Sequence, residues 1–288
     1  MKAFEYIKPS SIGEAISALN EHDETSLLAG GTDLLAGIKN SLLTPQYIID
    51  LKRIPNLDSF ECENEWKFGS LTTVRDIEIS ESIRKKMPYL SQAAACLASV
   101  QIRNRATLGG NLCNASPAAD MATMMLAVDA RVKIVSADNE KIIKLDEFFQ
   151  GPKKTVLKRG DLLTEIMVPK EMENFRGIYM KYGTRKAMDI GIVNAAVLLD
   201  ADFKHGLCKK ISISLGAVAP TPIRASKAED MLNGNILTPE LIENAAKLAS
   251  SETNPISDFR ASADYRRNLV RTLVARGING ILESNKIS

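Results

Sequence analysis

The amino-acid sequence predicts a mixed α+β protein of two domains, and three observations carry that prediction. The chain has 288 residues, more than one hydrophobic core usually organises. Its first half alternates short β-type runs with helical runs around glycine pairs. After Lys170 to Asn174 (KEMEN) the pattern becomes consecutive strands followed by consecutive helices, as expected of an antiparallel sheet with helices packed on one face.

Taken in order, Ser11 and Glu14 are spaced as a capping box before a helical run from Ile12 to Leu19. Ser26 to Ala29 reads as a short buried strand broken by Gly30-Gly31, with Thr32 or Asp33 placed to cap a helix from Leu34 towards Asn40. Gln46 to Leu51 and Trp66 to Ser70 are β-type runs, Thr73 can cap a helix through Ile79, and alanine-rich Pro88 to Gln101 reads as one buried helix. The stretch from Arg103 to Asp120 (RNRATLGGNLCNASPAAD) reads as the longest irregular segment. Loops of that length inside a compact domain are usually functional or disordered, and the small residues here point to close backbone approach. A helix over Met121 to Val128 follows, then a hairpin of Arg131 to Ser136 with Lys141 to Leu145, then a strand over Leu162 to Val168. Beyond the junction, strands Ile178 to Tyr182, Ile192 to Leu199 and Ile211 to Val218 precede helices Ala225 to Leu232, Pro239 to Ser250 and Ser262 to Leu282.

Composition narrows the chemistry. Hydrophobic residues make up 45% and charged residues 25%, ordinary values for a globular protein. The 37 basic and 35 acidic residues are intermixed and leave a formal charge of +2, so no electrostatic footprint for nucleic acid is expected. No run approaches the roughly 18 to 20 apolar residues of a membrane helix, and the start MKAFEYIKPS lacks the regions of a secretory signal. A cytoplasmic location is the expectation. Cys62, Cys96, Cys113 and Cys208 form no C-x-x-C, so no metal site is expected and the thiols read as reduced. His22 and His205 both lie in polar stretches, and a histidine-dependent mechanism is not expected. The basic run Lys153, Lys154, Lys158 and Arg159 reads as a solvated turn. Neither a P-loop nor a Rossmann glycine fingerprint is present.

Two glycine segments remain, Ala29 to Asp33 (AGGTD) and Thr107 to Asn111 (TLGGN). A strand that ends in Gly-Gly and turns into a helix leaves backbone N–H groups pointing outward, and such a nest binds phosphate. As a local pattern each segment describes a tight turn more often than a phosphate site. Together they could grip a dinucleotide pyrophosphate from opposite sides, with Asn114, Ser116 and Asp120 as hydrogen-bonding side chains nearby. Asp120 can accept bonds from ribose or ribityl hydroxyls, or it can cap the helix that begins at Met121.

The order of LLAGGTDLL, QIRNRATLGGNLCNASPAAD, DLLTEIMVP and YMKYGTRKAMDIGIVNAAV resembles the FAD-binding medium subunits of molybdenum hydroxylases, the xanthine and carbon monoxide dehydrogenase family. The resemblance covers nearly the whole chain. It implies an FAD-binding domain over residues 1–173, similar to vanillyl-alcohol oxidase and made of two α/β subdomains (1–55 and 56–173). A smaller α+β domain would cover 174–288. It implies FAD contacts from Ser26, Leu27, Leu28, Ala29, Gly30, Gly31, Thr32 and Asp33, and from Ala106, Thr107, Leu108, Gly109, Gly110, Asn111, Ser116 and Asp120. Leu162 or Leu163 would pack near the flavin ring, and Lys181 would lie beside it, where a cation stabilises negative charge. Arg185, Lys186 and Asp189 match in part a charged loop where NAD approaches.

The resemblance further implies a molybdopterin-binding large subunit and a small subunit with [2Fe-2S] clusters as partners, in a dimer of heterotrimers. No residue of this chain is then expected to act as acid or base, and none to bind metal. Electrons would pass from the partner's clusters to FAD and on to an acceptor such as NAD. Xanthine or a related purine is the expected substrate, from the closeness of GGNLCN to bacterial xanthine dehydrogenase subunits, with nicotinate and carbon monoxide as alternatives. A stand-alone flavin oxidoreductase is the main competing reading, and a structural interaction protein whose glycine segments are mere turns is the third. Cys113, inside the second segment, is expected to be a small packing residue.

Overall fold

In the computed structural model, which describes residues 2–185 and 188–285, the chain begins with a three-stranded parallel sheet. Its elements are β1 (Glu5–Ile7), α1 (Ile12–Glu21), β2 (Thr25–Leu28), α2 (Leu34–Lys39) and β3 (Tyr47–Asp50), with strand order β1-β3-β2. Ser11 caps α1 by accepting the Glu14 N–H, but the Glu14 carboxylate reaches back to Ser10 and not to Ser11, so only half of the expected capping box forms. Asp33 flanks α2 without a side-chain cap bond. Because the strands are parallel, their carboxyl ends share one edge, which is where α/β sheets commonly bind ligands. The turn at Ala29 leaves from that edge, next to Asp50, which pairs with Leu28.

A second unit is organised by a five-stranded antiparallel sheet. It contains β4 (Phe60–Cys62), β5 (Glu65–Gly69), α3 (Val74–Ile79), α4 (Glu81–Lys86), α5 (Pro88–Ala95), α6 (Val100–Arg103), α7 (Leu108–Cys113) and α8 (Asp120–Ala127). The chain continues through β6 (Arg131–Val135), β7 (Glu140–Lys144), the small hairpin β8 (Phe149–Gly151) and β9 (Lys154–Thr155), and β10 (Leu162–Pro169). The sheet order is β4-β5-β10-β6-β7. Thr73 does form a full capping box, with Asp76, at the start of α3.

Two sequence expectations fail in this unit. Pro88 to Gln101 is not one helix: α5 stops at Ala95, Ala98 takes a left-handed φ of 43°, and Ser99 restarts the chain by accepting the Ile102 N–H. Arg103 to Asp120 is not irregular throughout, because Leu108–Cys113 is helical behind a Thr107 cap. Glycine costs a helix roughly 1 kcal/mol relative to alanine, which is why local propensity misses α7. Tertiary bonds hold it instead: Leu108 N donates to Thr72 O, and Gly109 N to Ser70 O.

The last unit has four antiparallel strands in chain order, β11 (Arg176–Tyr182), β12 (Val193–Asp202), β13 (Leu207–Gly216) and β14 (Ile223–Arg224). Helices α9 (Ser226–Leu232), α10 (Pro239–Ser251) and α11 (Ala263–Asn285) follow. Strand alternation divides this sheet between two cores. Ile178, Met180, Val197 and Ile213 pack with the three helices, while Tyr179, Ala196 and Leu198 join the core of the preceding unit. The second face thus lies on α5 and α8. Ser212 and Ser214 reinforce that contact by donating to Ala127 O and Thr123 O of α8. Among the described residues no helix is long and apolar enough to cross a membrane.

Candidate functional site

The two glycine segments meet. A Cβ on Gly30 would overlap the carbonyl of Arg105, so the first turn lies directly against the backbone leading into the second. Gly31 adopts φ +76°, a left-handed conformation that favours glycine. Among the described residues the amides of Gly30, Gly31, Thr32 and Asp33 donate to no backbone carbonyl, which leaves an open nest at the strand-to-helix turn.

The second segment is built differently. Its cap hydroxyl, Thr107 Oγ1, accepts the Gly110 N–H at 3.1 Å, and Gly109 N–H is already bonded to Ser70 O at 2.8 Å. The expected row of free N–H groups is absent there. Gly109 is packed, since a Cβ would come within 2.6 Å of Ser70 O and 3.0 Å of Leu163 Cδ2. Gly110 is the open one. Its Cβ direction meets its own cap oxygen at 2.7 Å and the Ala29 Cβ only at 3.9 Å, so it faces the first turn.

Beside these segments a charged trio joins two units. Asp120 is the first residue of α8 and does not cap it; its carboxylate points instead to β11. Oδ1 accepts the Tyr179 hydroxyl at 2.7 Å and Oδ2 the Lys181 ammonium at 2.9 Å. Tyr179 and Lys181 are two residues apart on one strand and therefore share a face. Burial pushes the Asp120 carboxyl up, against Lys181 and Tyr179, which pull it down. Asn194 sits opposite Lys181 in the β11–β12 register and donates to Ala118 O, while Thr123 donates to its Oδ1. Ala217 N adds a bond to Pro117 O. The strands of the last unit therefore hold the Ser116 to Asp120 stretch in place.

The predicted site residues divide accordingly. Ser26, Leu27 and Leu28 lie in β2 and deliver the first turn, while Ala106 precedes the second segment and gives its carbonyl to Val74 N. Leu163 reaches Gly109, whereas Leu162 faces the cluster formed with Ala15 and Ile49, so the structure brings only one of the two leucines to the glycines. Asn111 Oδ1 is buried with no hydrogen-bond partner, as is Ser70 Oγ behind Gly109. Arg185 and Asp189 fold on each other: Asp189 accepts the Thr184 and Arg185 N–H groups, which, led by the Thr184 hydroxyl, hold its carboxyl down at about 2. Lys186 lies outside the described residues. Cys113 lies on α7 with its residue surface exposed, while the surrounding protein desolvates its thiol and pushes it up to about 12.

Sequence reading missed Tyr179, Asn194 and Lys153. The i, i+2 spacing from Lys181 could have found Tyr179. Lys153, read as part of a solvated run, is exposed but donates to Asn114 Oδ1 at 2.6 Å, and its N–H bonds Ala115 O.

The features fit FAD. An open N–H nest, an orphaned amide oxygen on Asn111 and the bare Cα of Gly110 facing Ala29 are what a diphosphate and its polar flanks require.

Comparison with known proteins agrees. Residues 2–171 match the family model "FAD binding domain in molybdopterin dehydrogenase", and residues 178–281 match "CO dehydrogenase flavoprotein C-terminal domain". The chain is 33% identical to the glyceraldehyde dehydrogenase medium chain of Sulfolobus acidocaldarius, across 96% of this chain and 98% of that one. It is 30% identical to the xanthine dehydrogenase FAD-binding subunit of Escherichia coli O157:H7, across 95% and 94%. Among solved structures, carbon monoxide dehydrogenase from Hydrogenophaga pseudoflava superposes with a TM-score of 0.93 at 31% identity, covering 98% of both chains.

Proposed function

The chain belongs to the FAD-binding medium subunits of molybdenum hydroxylases, and on that premise we propose that it is the electron-transfer flavoprotein of a three-subunit oxidoreductase. The observation that carries the proposal is the open nest at Gly30 to Asp33 set against Gly110. Bound there, FAD supplies a centre that takes up single electrons and gives them up in pairs. The protein's own residues bind and orient. The first turn offers N–H donors to a diphosphate, and Ser26 to Ala29 position it. Thr107, whose hydroxyl is committed to the cap, contributes its backbone, and Asn111 Oδ1 and Ser116 offer side-chain bonds. Asp120 would meet hydroxyl groups of the cofactor, and Lys181 and Leu163 would flank the ring.

Electrons would enter from [2Fe-2S] clusters of a small subunit, after oxidation of substrate in a molybdopterin-binding large subunit, within a cytoplasmic dimer of heterotrimers. NAD is the proposed acceptor, supported by the placement of Arg185 and Asp189 four and eight residues beyond Lys181 in the loop after β11. The domain boundary is proposed near residue 173, where the antiparallel sheet of the last unit begins. The relatives do not rank substrates: enzymes named for glyceraldehyde, nicotine, carbon monoxide and xanthine lie at 33%, 32%, 32% and 30% identity. The purine expectation therefore rests on GGNLCN alone, and substrate choice is assigned to the large subunit.

Gly110→Val tests the two-segment site. The new side chain displaces the Thr107 cap oxygen and projects towards Ala29. Overpacking of this kind costs about 1–3 kcal/mol, which weakens FAD retention roughly 5-fold to more than 100-fold. Retention of flavin equal to wild type after gel filtration would sink the proposal. Molybdenum and iron in the copurified complex separate it from a stand-alone flavoprotein.

A further inference from the structure

Tyr179 has no role in the reading above, yet it is buried and its hydroxyl bonds the buried Asp120 carboxylate. We propose that Tyr179 is a positioning residue that fixes the Asp120 carboxylate so that its second oxygen holds the Lys181 ammonium beside the flavin, which sets the charge the site presents to the cofactor. This inference rests on FAD binding as proposed.

The geometry supports it in three steps. The trio spans two units: Asp120 comes from α8, while Tyr179 and Lys181 come from the same face of β11. Each oxygen of Asp120 takes one donor, Oδ1 the phenol at 2.7 Å and Oδ2 the ammonium at 2.9 Å, so removal of the phenol frees the carboxylate to rotate and leaves one oxygen without that bond. The site is dry enough for this to matter. Asp120 and Lys181 side chains are 8% and 13% exposed, and a hydrogen bond to a buried charge is stronger than one at the surface.

The other polar groups around Asp120 are few. Asn194 faces it from β12 and Thr123 lies on α8 itself. Cys96 stands at the end of α5, where its carbonyl accepts a bond from Lys181 Nζ at 3.3 Å, and Arg103 lies beyond it on α6, committed to Glu78. Tyr179 and Lys181 are the nearest supports of the ionised carboxylate, one on each oxygen, with the Asn194 side chain as a weaker third. Without Tyr179, protonation of Asp120 becomes easier. Protonation would leave Lys181 as an uncompensated cation and raise the flavin midpoint potential.

The test uses the assembled holoenzyme. Flavin midpoint potential is measured across pH by spectroelectrochemistry, and the Asp120 carboxyl band is followed by infrared difference spectroscopy, assigned by its loss in Asp120→Asn. In Tyr179→Phe, which keeps the ring and its packing, the protonation step and the accompanying rise in potential move to higher pH by about one unit or more. With 3-fluorotyrosine placed at position 179, a stronger donor, the step moves to lower pH, and this second variant decides the matter where Tyr179→Phe does not assemble. Curves that coincide with wild type, or shifts in the same direction for both variants, overturn the proposal. Wild-type complex that carries no FAD overturns the earlier reading instead, so the two failures are distinct.

Discussion

The two glycine segments look alike in sequence and do different work in the structure. Ala29 to Asp33 is an open turn in which, among the described residues, the amides of Gly30 to Asp33 donate to no backbone carbonyl, and its left-handed Gly31 makes the turn. Thr107 to Asn111 is the start of a helix whose first amides are already committed, and its glycines allow close approach: Gly109 to Ser70, Gly110 towards Ala29. The same dipeptide thus supplies donors in one place and proximity in the other. A Gly-Gly pair states that something lies close to the backbone or that φ is unusual; which of the two holds depends on contacts that are remote in sequence.

The segments also differ in how firmly they are anchored. The second is fastened from behind: Arg103 is 7% exposed, makes two bonds to Glu78 at 2.7 and 3.0 Å, and gives a third to Leu97 O. That pair fixes α6 and so the backbone of Arg105 against which Gly30 packs. Arg103→Ala is expected to have the largest effect on stability, towards the lower end of about 3–5 kcal/mol, because it removes both Arg103 bonds from buried Glu78 and leaves only the partly exposed Arg75, 2.9 Å away, to compensate it. Denaturant unfolding of the full-length chain measures it, and a loss near that of an average surface substitution would show that the second segment is not anchored here. The same pair sets an acid limit. Glu78 is held below its ordinary value, chiefly by its hydrogen bonds to Arg103, so its contribution is complete above the ordinary glutamate range and disappears as pH falls through the lowered value. Arg103→Ala should make that acid limb shallower, with the Arg75 ion pair keeping part of it.

At the first turn the expected changes are smaller in stability and larger in binding. Gly31→Ala forces a Cβ into φ +76° and to within 2.9 Å of Leu28 Cδ1; the left-handed conformation alone costs about 1–2 kcal/mol. Gly30→Ala meets backbone at Arg105, which cannot swing aside as a side chain can, and overpacking of that kind costs about 1–3 kcal/mol. Both variants should lose FAD by more than their loss of stability accounts for, since they distort the donors themselves. Flavin titration beside urea unfolding reads the two quantities. Losses in strict proportion would place the first turn with the second as packing.

What the sequence made legible was local. The Thr73 capping box, the hairpin at Asp138-Asn139 and the strands and helices after residue 174 all follow from short-range spacing, and the structure has them. The resemblance supplied the cofactor and family. What stayed hidden was tertiary. Helix α7 begins in Leu-Gly-Gly because Ser70 and Thr72 accept its first amides, and the break before α6 needs a left-handed Ala98 that no residue-type preference announces. Asp120 and Lys181 are 61 residues apart, and Tyr179 joins them only once β11 lies across α8.

The smallest predicted effect is the most discriminating for the comparison. Thr107 Oγ1 satisfies Gly110 N–H, so Thr107→Ala removes a helix cap at a cost of about 1 kcal/mol and at the same time frees the amide of Gly110. If the second segment contributes proximity, FAD affinity should fall by no more than that loss of order, roughly 5-fold, and Thr107→Ser should restore it because the hydroxyl remains. A fall of several hundred-fold with stability nearly intact would mean that the Thr107 hydroxyl itself holds the cofactor. A gain in affinity would mean that the freed Gly110 amide has become a donor. That outcome would make the second segment a nest held closed by its own cap, and the contrast between the two segments would then come down to one hydroxyl group.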